Sequence, residues 1–64
     1  MFYVMLLTKK GKWKKTCYGA PDDSWSVESF KGMALKINAD HALIEARTDN
    51  PNETYRLIYS EEEL

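Results

Sequence analysis

Apolar and polar positions alternate near the start of the chain, and this alternation predicts strands. Residues 2–8 (FYVMLLT) are apolar on both alternating sets of positions, which is typical of a central strand with two buried faces. Residues 12–19 alternate between apolar and polar side chains, which favours a half-solvated second strand. Gly11, in the polar stretch between them, is suited to the turn of a β-hairpin.

The spacing then changes and predicts one helix over residues 27–38. Residues 20–24 contain proline, aspartates and serine, which end the hairpin, and Ser26 is the predicted N-cap. Trp25 precedes this cap and is placed to pack on Phe30 as a hydrophobic staple. The apolar side chains that recur at helical spacing are Val27, Phe30, Ala34 and Ile37.

Two further strands are predicted after the helix. Residues 42–48 alternate again, and residues 54–59 (TYRLIY) follow a turn rich in Asp, Asn and Pro. Residues 60–64 form an acidic tail. The order ββαββ predicts a single α+β domain over residues 1–64, in which one helix packs on one face of a four-stranded antiparallel sheet.

A single helix covers only one face of such a sheet. The first strand is apolar on both sides, so we expect a second apolar face that the helix leaves open. A face of this kind usually marks an interface, commonly that of a two-fold homodimer, although small proteins also expose single aromatic side chains.

Length and composition restrict the class of protein. Sixty-four residues with 44% hydrophobic side chains predict one small folded core. The only cysteine, Cys17, excludes an internal disulfide and a thiolate zinc site, and a reducing, cytoplasmic setting follows. The longest apolar run near the start, residues 1–7, is too short to span a membrane. We expect no metal and no cofactor.

Positive charge is concentrated at the predicted hairpin tip, although the whole chain carries a net charge of −1. Acidic residues elsewhere balance it, so the molecule is an electrical dipole. Lysines neutralise phosphates and Trp13 can stack on an unpaired base, which makes this tip a candidate nucleic-acid site. The opposing interpretation is that the lysines keep a sheet edge from pairing with other chains, and a pI near 5.7 favours it. The residues of this candidate site are Lys9, Lys10, Lys12, Lys14, Lys15 and Trp13.

Catalysis has little support in the sequence. His41 is the only histidine, and nothing in its spacing from Cys17 brings the two together as a base and a nucleophile. Phosphate-binding loops and zinc-ligand spacings do not occur. We therefore expect a protein that is not an enzyme. Aromatic side chains are frequent anchors at interfaces and carboxylates mimic phosphates, so the predicted protein-contact residues are Trp13, Tyr55, Tyr59, Glu61, Glu62 and Glu63.

The order of these segments, FYVMLL, KKGKWKK, WSVESFKGMAL and two closing strands, resembles the small uncharacterised ββαββ proteins of bacteriophages and mobile elements. Some proteins of that kind are anti-defence inhibitors, such as anti-CRISPR proteins, which bind a bacterial immune protein and block its substrate. The resemblance implies a small protein-binding module. It also implies a specific role for such a module, the inhibition of a host defence protein by steric and electrostatic occlusion. The alternatives from the residues are a nucleic-acid-binding accessory factor and a structural homodimer without a further partner.

Overall fold

The chain forms a three-stranded antiparallel sheet and one helix, in the order ββαβ. The computed structural model describes residues 1–22 and 24–64. The strands are β1 (Phe2–Leu7), β2 (Trp13–Lys15) and β3 (Tyr55–Tyr59), and the helix is α1 (Lys36–Asp49). β1 lies between β2 and β3, which confirms the central strand predicted from its two apolar faces. The α+β class is also confirmed. Within the described residues there is no fourth strand.

The helix lies later in the chain than predicted. Residues 42–48, predicted as a strand, belong to α1, and the predicted helix over residues 27–38 coincides with α1 only at its last residues. The alternation over residues 42–48 wrongly predicted a strand, because Ala42 and Ala46 fit both a two-residue and a four-residue spacing. The four-residue spacing places them on one face of a helix, together with Ala39. Alanine is also the strongest helix former.

The predicted helix start is present but forms only one turn. The Ser26 hydroxyl accepts the Ser29 N–H at 3.2 Å, and the Phe30 N–H donates to the Ser26 carbonyl at 3.0 Å. Gly32 then has a φ of +88°, which a right-handed helix does not contain. Met33 continues in extended conformation and exchanges two backbone hydrogen bonds with Phe2, at 2.7 and 2.9 Å. The chain therefore stays along the sheet edge here instead of coiling.

The second strand is shorter than the predicted range 12–19. After Lys15, the Thr16 N–H still donates to the Val4 carbonyl at 3.2 Å, but the chain then turns away through Gly19, whose φ is +94°. Met33 takes the position next to Phe2 that a longer β2 would occupy. A Cβ at position 19 would lie 2.1 Å from the Met33 sulfur, so glycine is what allows this close approach.

Small side chains bring α1 close to the sheet. The buried residues of α1 are Ala39, Ala42 and Ala46, and α1 contacts both β1 and β3. It lies on the sheet face that carries Val4 and Tyr55. Tyr18, whose ring packs edge-on against Tyr55 at 5.9 Å, accepts a hydrogen bond from the Asn50 side chain directly after α1.

The opposite sheet face is covered as well, which overturns the prediction of an open apolar face. Tyr3 is completely buried there, with its ring edge-on to Phe30 at 6.2 Å and its hydroxyl donating to the Lys31 carbonyl at 3.0 Å. Met5 is also buried and is flanked in register by Lys15 and Arg56. The segment between β2 and α1 thus supplies the cover that a second helix would give. The predicted homodimer loses its argument from an open sheet face.

Candidate functional site

Four lysines are exposed around the turn that joins β1 to β2, namely Lys9, Lys10, Lys12 and Lys14. The turn is closed by backbone hydrogen bonds, from the Thr8 N–H to the Lys12 carbonyl at 2.7 Å and from the Gly11 N–H to the Thr8 carbonyl at 2.9 Å. Gly11 has the positive φ of +79° that this turn requires. In the described part of the chain, the ion pairs are Lys31–Glu63 and Lys36–Asp40, so none of these four lysines is in one.

Arg56 adds a fifth cation to this end of the molecule. Its guanidinium carbon lies 4.1 Å from the centroid of the Trp13 ring, within the range of a cation–π contact. The register explains the contact: Trp13 is opposite Leu7 and Arg56 is opposite Met5, so both side chains lie on the same face of the sheet, one from each strand beside β1. Arg56 itself is exposed, and Trp13 is half-buried beneath it. We call Lys9, Lys10, Lys12, Lys14 and Arg56 the cationic end.

Lys15, the remaining lysine of the predicted nucleic-acid site, has a different environment. Its ammonium group donates to the Phe30 carbonyl at 3.0 Å and to the Leu64 carbonyl at 2.6 Å, and it lies 5.8 Å from the centroid of the Tyr3 ring. These contacts hold the segment after β2 and the end of the chain on the sheet. Lys15 is therefore a structural residue in this fold and does not belong to the exposed set.

The predicted protein-contact residues do not form one surface. Tyr55 is only 6% exposed and lies in the core. Tyr59 is exposed and packs edge-on against Phe2 at 5.0 Å. Trp13 lies at the opposite end of the sheet from Tyr59, because β1 pairs Phe2 with Tyr59 but Leu7 with Trp13. Glu61, Glu62 and Glu63 are exposed, and Glu63 pairs with Lys31 at 3.1 Å.

The outer side of α1 carries apolar side chains that the sequence interpretation assigned elsewhere. Ile37 and Ile44 are 64% and 62% exposed, and seven residues place them two turns apart on one side of the helix. His41 lies between them and is also exposed. We call Ile37, His41 and Ile44 the outer face of α1. Leu35, just before the helix, is 58% exposed. Once residues 36–49 are known to be helical, the i, i+4, i+7 spacing identifies this stripe.

The free edge of β3 is short. The backbone groups of Thr54 and Ser60 form hydrogen bonds with Leu7 and Met1 on the β1 side. Because backbone groups along a strand point alternately to its two edges, those of residues 55, 57 and 59 point away from β1. Arg47 of α1 donates to the Tyr55 carbonyl at 3.2 Å. That bond occupies one outward carbonyl and limits pairing of this edge with another strand.

Two surface grooves adjoin the segment after β2. One, of about 360 Å³, lies between that segment and α1 and includes Cys17, Trp25 and Glu45. The other, of about 550 Å³, includes Lys14, Cys17 and Glu28. Cys17 is a half-buried free thiol, whereas His41 is exposed on the side of α1 that faces away from the sheet. The structure therefore does not bring the two together.

Tyr18 is a half-buried phenol in this region. Its hydroxyl donates to an Asp49 carboxylate oxygen at 3.5 Å and accepts from the Asn50 amide at 3.0 Å. Burial, followed by the nearby Tyr55 and Asp49, raises the pKa of Tyr18 above its ordinary value. This network joins the end of α1 to the segment after β2 and has a structural role.

Asp22 lies in the Pro-, Asp- and Ser-containing segment that the sequence predicts as the end of the hairpin. The Asp22 carboxylate accepts the Ser24 N–H at 2.8 Å and also the Ser24 hydroxyl, and these bonds lower the pKa of Asp22. Asp23, in the same predicted breaker cluster, lies outside the described residues. Over residues 1–22 and 24–64, no group of three or more His, Cys, Asp or Glu side chains is arranged to hold a metal ion. In the same residues, no helix is both long and apolar enough to cross a bilayer.

The chain matches no protein-family model, no curated protein and no solved structure.

Proposed function

We propose that this chain is a small non-enzymatic protein-binding module that contacts its partner through the outer face of α1. The observation that supports this proposal is the exposure of Ile37 and Ile44 on one side of a helix whose other side is buried by alanines. β-Branched side chains do not favour an exposed helical position by propensity. Their exposed area makes no contribution to the stability of this fold, so a partner is the natural reason for it.

The spacing also defines the kind of partner surface. Side chains at i, i+4 and i+7 are the usual anchors of a helix that lies in a hydrophobic groove of another protein. Here the anchors are Ile37, His41 and Ile44. On one flank of this stripe, Lys36 pairs with Asp40 at 3.1 Å. The partner would therefore offer an apolar groove with a polar rim, as interfaces commonly do.

The phage-type resemblance extends this proposal to a more specific one. The chain would act in the cytoplasm of a bacterial host and inhibit a defence protein by occluding its substrate site. The exposed carboxylates of Glu61 and Glu62, with the exposed ring of Tyr59, would then supply additional contacts. A substrate site for nucleic acid is basic, and these carboxylates complement it.

The test uses a tagged protein in a bacterial lysate treated with nuclease. Wild type is compared with the double variant Ile37→Glu/Ile44→Glu, and with Lys10→Gln/Lys12→Gln as a control at the other end of the molecule. We expect one stoichiometric partner that survives high salt and is lost only from the isoleucine variant. Both variants alter exposed side chains, and circular dichroism checks that they are folded. A partner retained equally by the isoleucine variant would refute the proposed surface.

Self-association is measured on the same three proteins by sedimentation equilibrium. A wild-type dimer that becomes monomeric in Ile37→Glu/Ile44→Glu would identify the partner as a second copy of this chain. It would favour the structural homodimer over a module for another protein. A monomer throughout, together with a captured partner, would support the proposal as stated.

A further inference from the structure

The cationic end combines two features that the proposed protein-binding surface does not use. Its four lysines extend from an ordered turn and form no ion pair within the described residues. The fifth cation, Arg56, is held over the ring of Trp13. Glu53 lies at the same end, because Thr54 follows it and bonds to Leu7. Lys14 is opposite Leu6 in the register, so it lies on the other sheet face from Arg56 and shares a groove with Glu28. The five cations outnumber these two carboxylates, Glu53 and Glu28.

The stacked arginine gives this charged surface a flat contact site. The guanidinium carbon of Arg56 lies 4.1 Å from the centroid of the Trp13 ring, and the Arg56 side chain is exposed, so its planar group is accessible to a ligand. Stacking on the indole restricts the arginine side chain before any ligand binds, which lowers the entropic cost of a further contact. Guanidinium planes and aromatic rings are the surfaces on which unpaired bases stack in complexes with single strands.

We propose that the cationic end binds single-stranded nucleic acid, with the lysines on phosphates and one base stacked on Arg56. This site is separate from the outer face of α1 and does not depend on the function proposed for it. A single strand is favoured over a duplex for two reasons. The stacking site needs an unpaired base, and the rest of the chain is acidic enough to bring the net charge to −1, which disfavours an extended anionic duplex.

The structure changes the set of residues that the sequence assigned to this site. Lys15 is excluded, because its ammonium group is bonded to the Phe30 and Leu64 carbonyls. Arg56 is added, although it lies more than forty positions away from the lysine turn, on β3. Trp13 is half-buried and contacts the guanidinium group of Arg56, so its role changes from the stacking surface to the support of the arginine.

The experiment measures the fluorescence anisotropy of a labelled oligothymidylate, titrated with protein at several salt concentrations. We expect wild type to bind with an affinity that falls as salt rises. The double variant Lys10→Gln/Lys12→Gln should bind more weakly and reduce the slope of log K against log salt by about 1.4, since each phosphate contact to a single strand contributes about 0.7. Lys36→Gln, which removes an exposed lysine of α1, is the matched control and should leave the slope unchanged.

A second variant tests the stacking contact separately from the charge. Arg56→Lys keeps the positive charge but removes the planar group, so the salt slope should stay as in wild type while affinity falls about tenfold. A Trp25→Phe background leaves Trp13 as the only tryptophan, and its fluorescence should change when the oligonucleotide binds. Thermal unfolding of each variant checks that the fold is retained.

Four outcomes would overturn the proposal. They are the absence of binding at low salt, an equal loss in Lys36→Gln, tighter binding to a duplex of the same length, and equal binding to a polyglutamate peptide. The duplex result would assign the site to double-stranded nucleic acid, and the polyglutamate result would assign it to acidic protein surfaces. An unchanged affinity in Arg56→Lys would remove the stacked base from the proposal and with it the reason for a single strand.

Discussion

At the scale of single residues, glycines decide where the backbone changes direction. Gly32 has a φ of +88°, and a Cβ there would lie 2.7 Å from the Met1 Cβ and 2.8 Å from the Tyr3 ring. Gly11 also has a positive φ, but a Cβ there would meet nothing within 4 Å. A substitution at Gly11 therefore changes only the backbone energy, whereas a substitution at Gly32 changes both the backbone energy and the packing.

We predict that Gly32→Ala destabilises the protein more than Gly11→Ala. The variant at position 11 should lose about 1–2 kcal/mol, the usual cost of left-handed backbone for a residue with a Cβ. The variant at position 32 should lose about 1–3 kcal/mol more, because the added methyl group overlaps buried atoms. Urea unfolding of both variants measures the difference. Equal losses would show that the core next to Tyr3 relaxes without cost.

Tyr18 gives a prediction about alkaline pH. Its pKa is raised in the folded protein, so the folded state holds the phenol proton more tightly than the unfolded chain does. This contribution to stability is complete below the ordinary tyrosine pKa of about 10 and is lost as the pH rises through the higher folded value. The free-energy difference between wild type and Tyr18→Phe should therefore shrink as the pH rises above about 10. Urea unfolding at a series of pH values checks it, and a constant difference would contradict the assignment.

At the scale of elements, α1 is defined by the contrast between its two sides. Ala39, Ala42 and Ala46 are buried against the sheet, whereas Ile37 and Ile44 are exposed. The fully buried positions of α1 are thus all alanines, with Leu43 packed beside them and half-buried. The reason is distance: with alanines on its inner side, α1 lies close to β1 and β3, and larger side chains would not fit between them.

We predict that Ala42→Leu destabilises the protein by about 1–3 kcal/mol, because the added atoms have no space between α1 and the sheet. Ile44→Leu, on the exposed side, should change the free energy of unfolding by less than about 0.5 kcal/mol. Both are measured by urea unfolding. If the leucine at position 42 were tolerated as well as the one at position 44, the close contact of α1 with the sheet would be in doubt.

The segment between β2 and α1 covers the sheet face that α1 does not cover. It presents Trp25 to the groove beside α1, Phe30 to Tyr3 on the far sheet face, and Met33 to the edge of β1. Trp25 is 37% exposed, so the predicted staple with Phe30 does not form a core contact. Apart from residues 36–38, which belong to α1, the predicted helix is reduced to a short turn capped by Ser26.

At the scale of the whole molecule, charge is separated along the sheet. The cationic end lies at the turn between β1 and β2, and the acidic tail begins at the opposite end, where Ser60 bonds to Met1. The tail is held by Lys31, which pairs with Glu63, and by the Tyr3 hydroxyl, which accepts the Leu64 N–H at 3.2 Å. The lysine turn and the start of the acidic tail therefore lie at opposite ends of β1.

The clustered lysines should make stability depend on salt. At low ionic strength they repel one another, and Lys10→Gln should raise the unfolding temperature by removing part of that repulsion. In high salt the repulsion is screened and the gain should vanish. Lys36→Gln removes a lysine that is paired with Asp40, so it should bring no gain. Thermal unfolding at two salt concentrations measures these effects, and a gain that persists in high salt would contradict the repulsion.

The sequence by itself determined the three strands that form and the clustering of charge, although the same alternation wrongly predicted a strand over residues 42–48. Residues 2–8, 12–19 and 54–59 were assigned to strands that include β1, β2 and β3, because alternation at two-residue spacing and β-forming side chains are local properties. The central position of β1 followed from its two apolar faces. The exposed lysine turn followed from the clustering of lysines around Gly11 between two strand patterns.

The tertiary structure decided where the helix forms and which residues are exposed. Residues 27–38 and 36–49 both contain apolar side chains at helical spacing, and local pattern does not rank them. Contacts with the sheet decide between them. Phe30 packs on Tyr3 and Met33 pairs with Phe2, and these contacts require a chain that is not helical there. The alanines of α1 allow a helix to pack closely on the other face. Contacts between residues far apart in the chain, such as Arg56 on Trp13, exist only after that choice, because packing and not sequence spacing creates them.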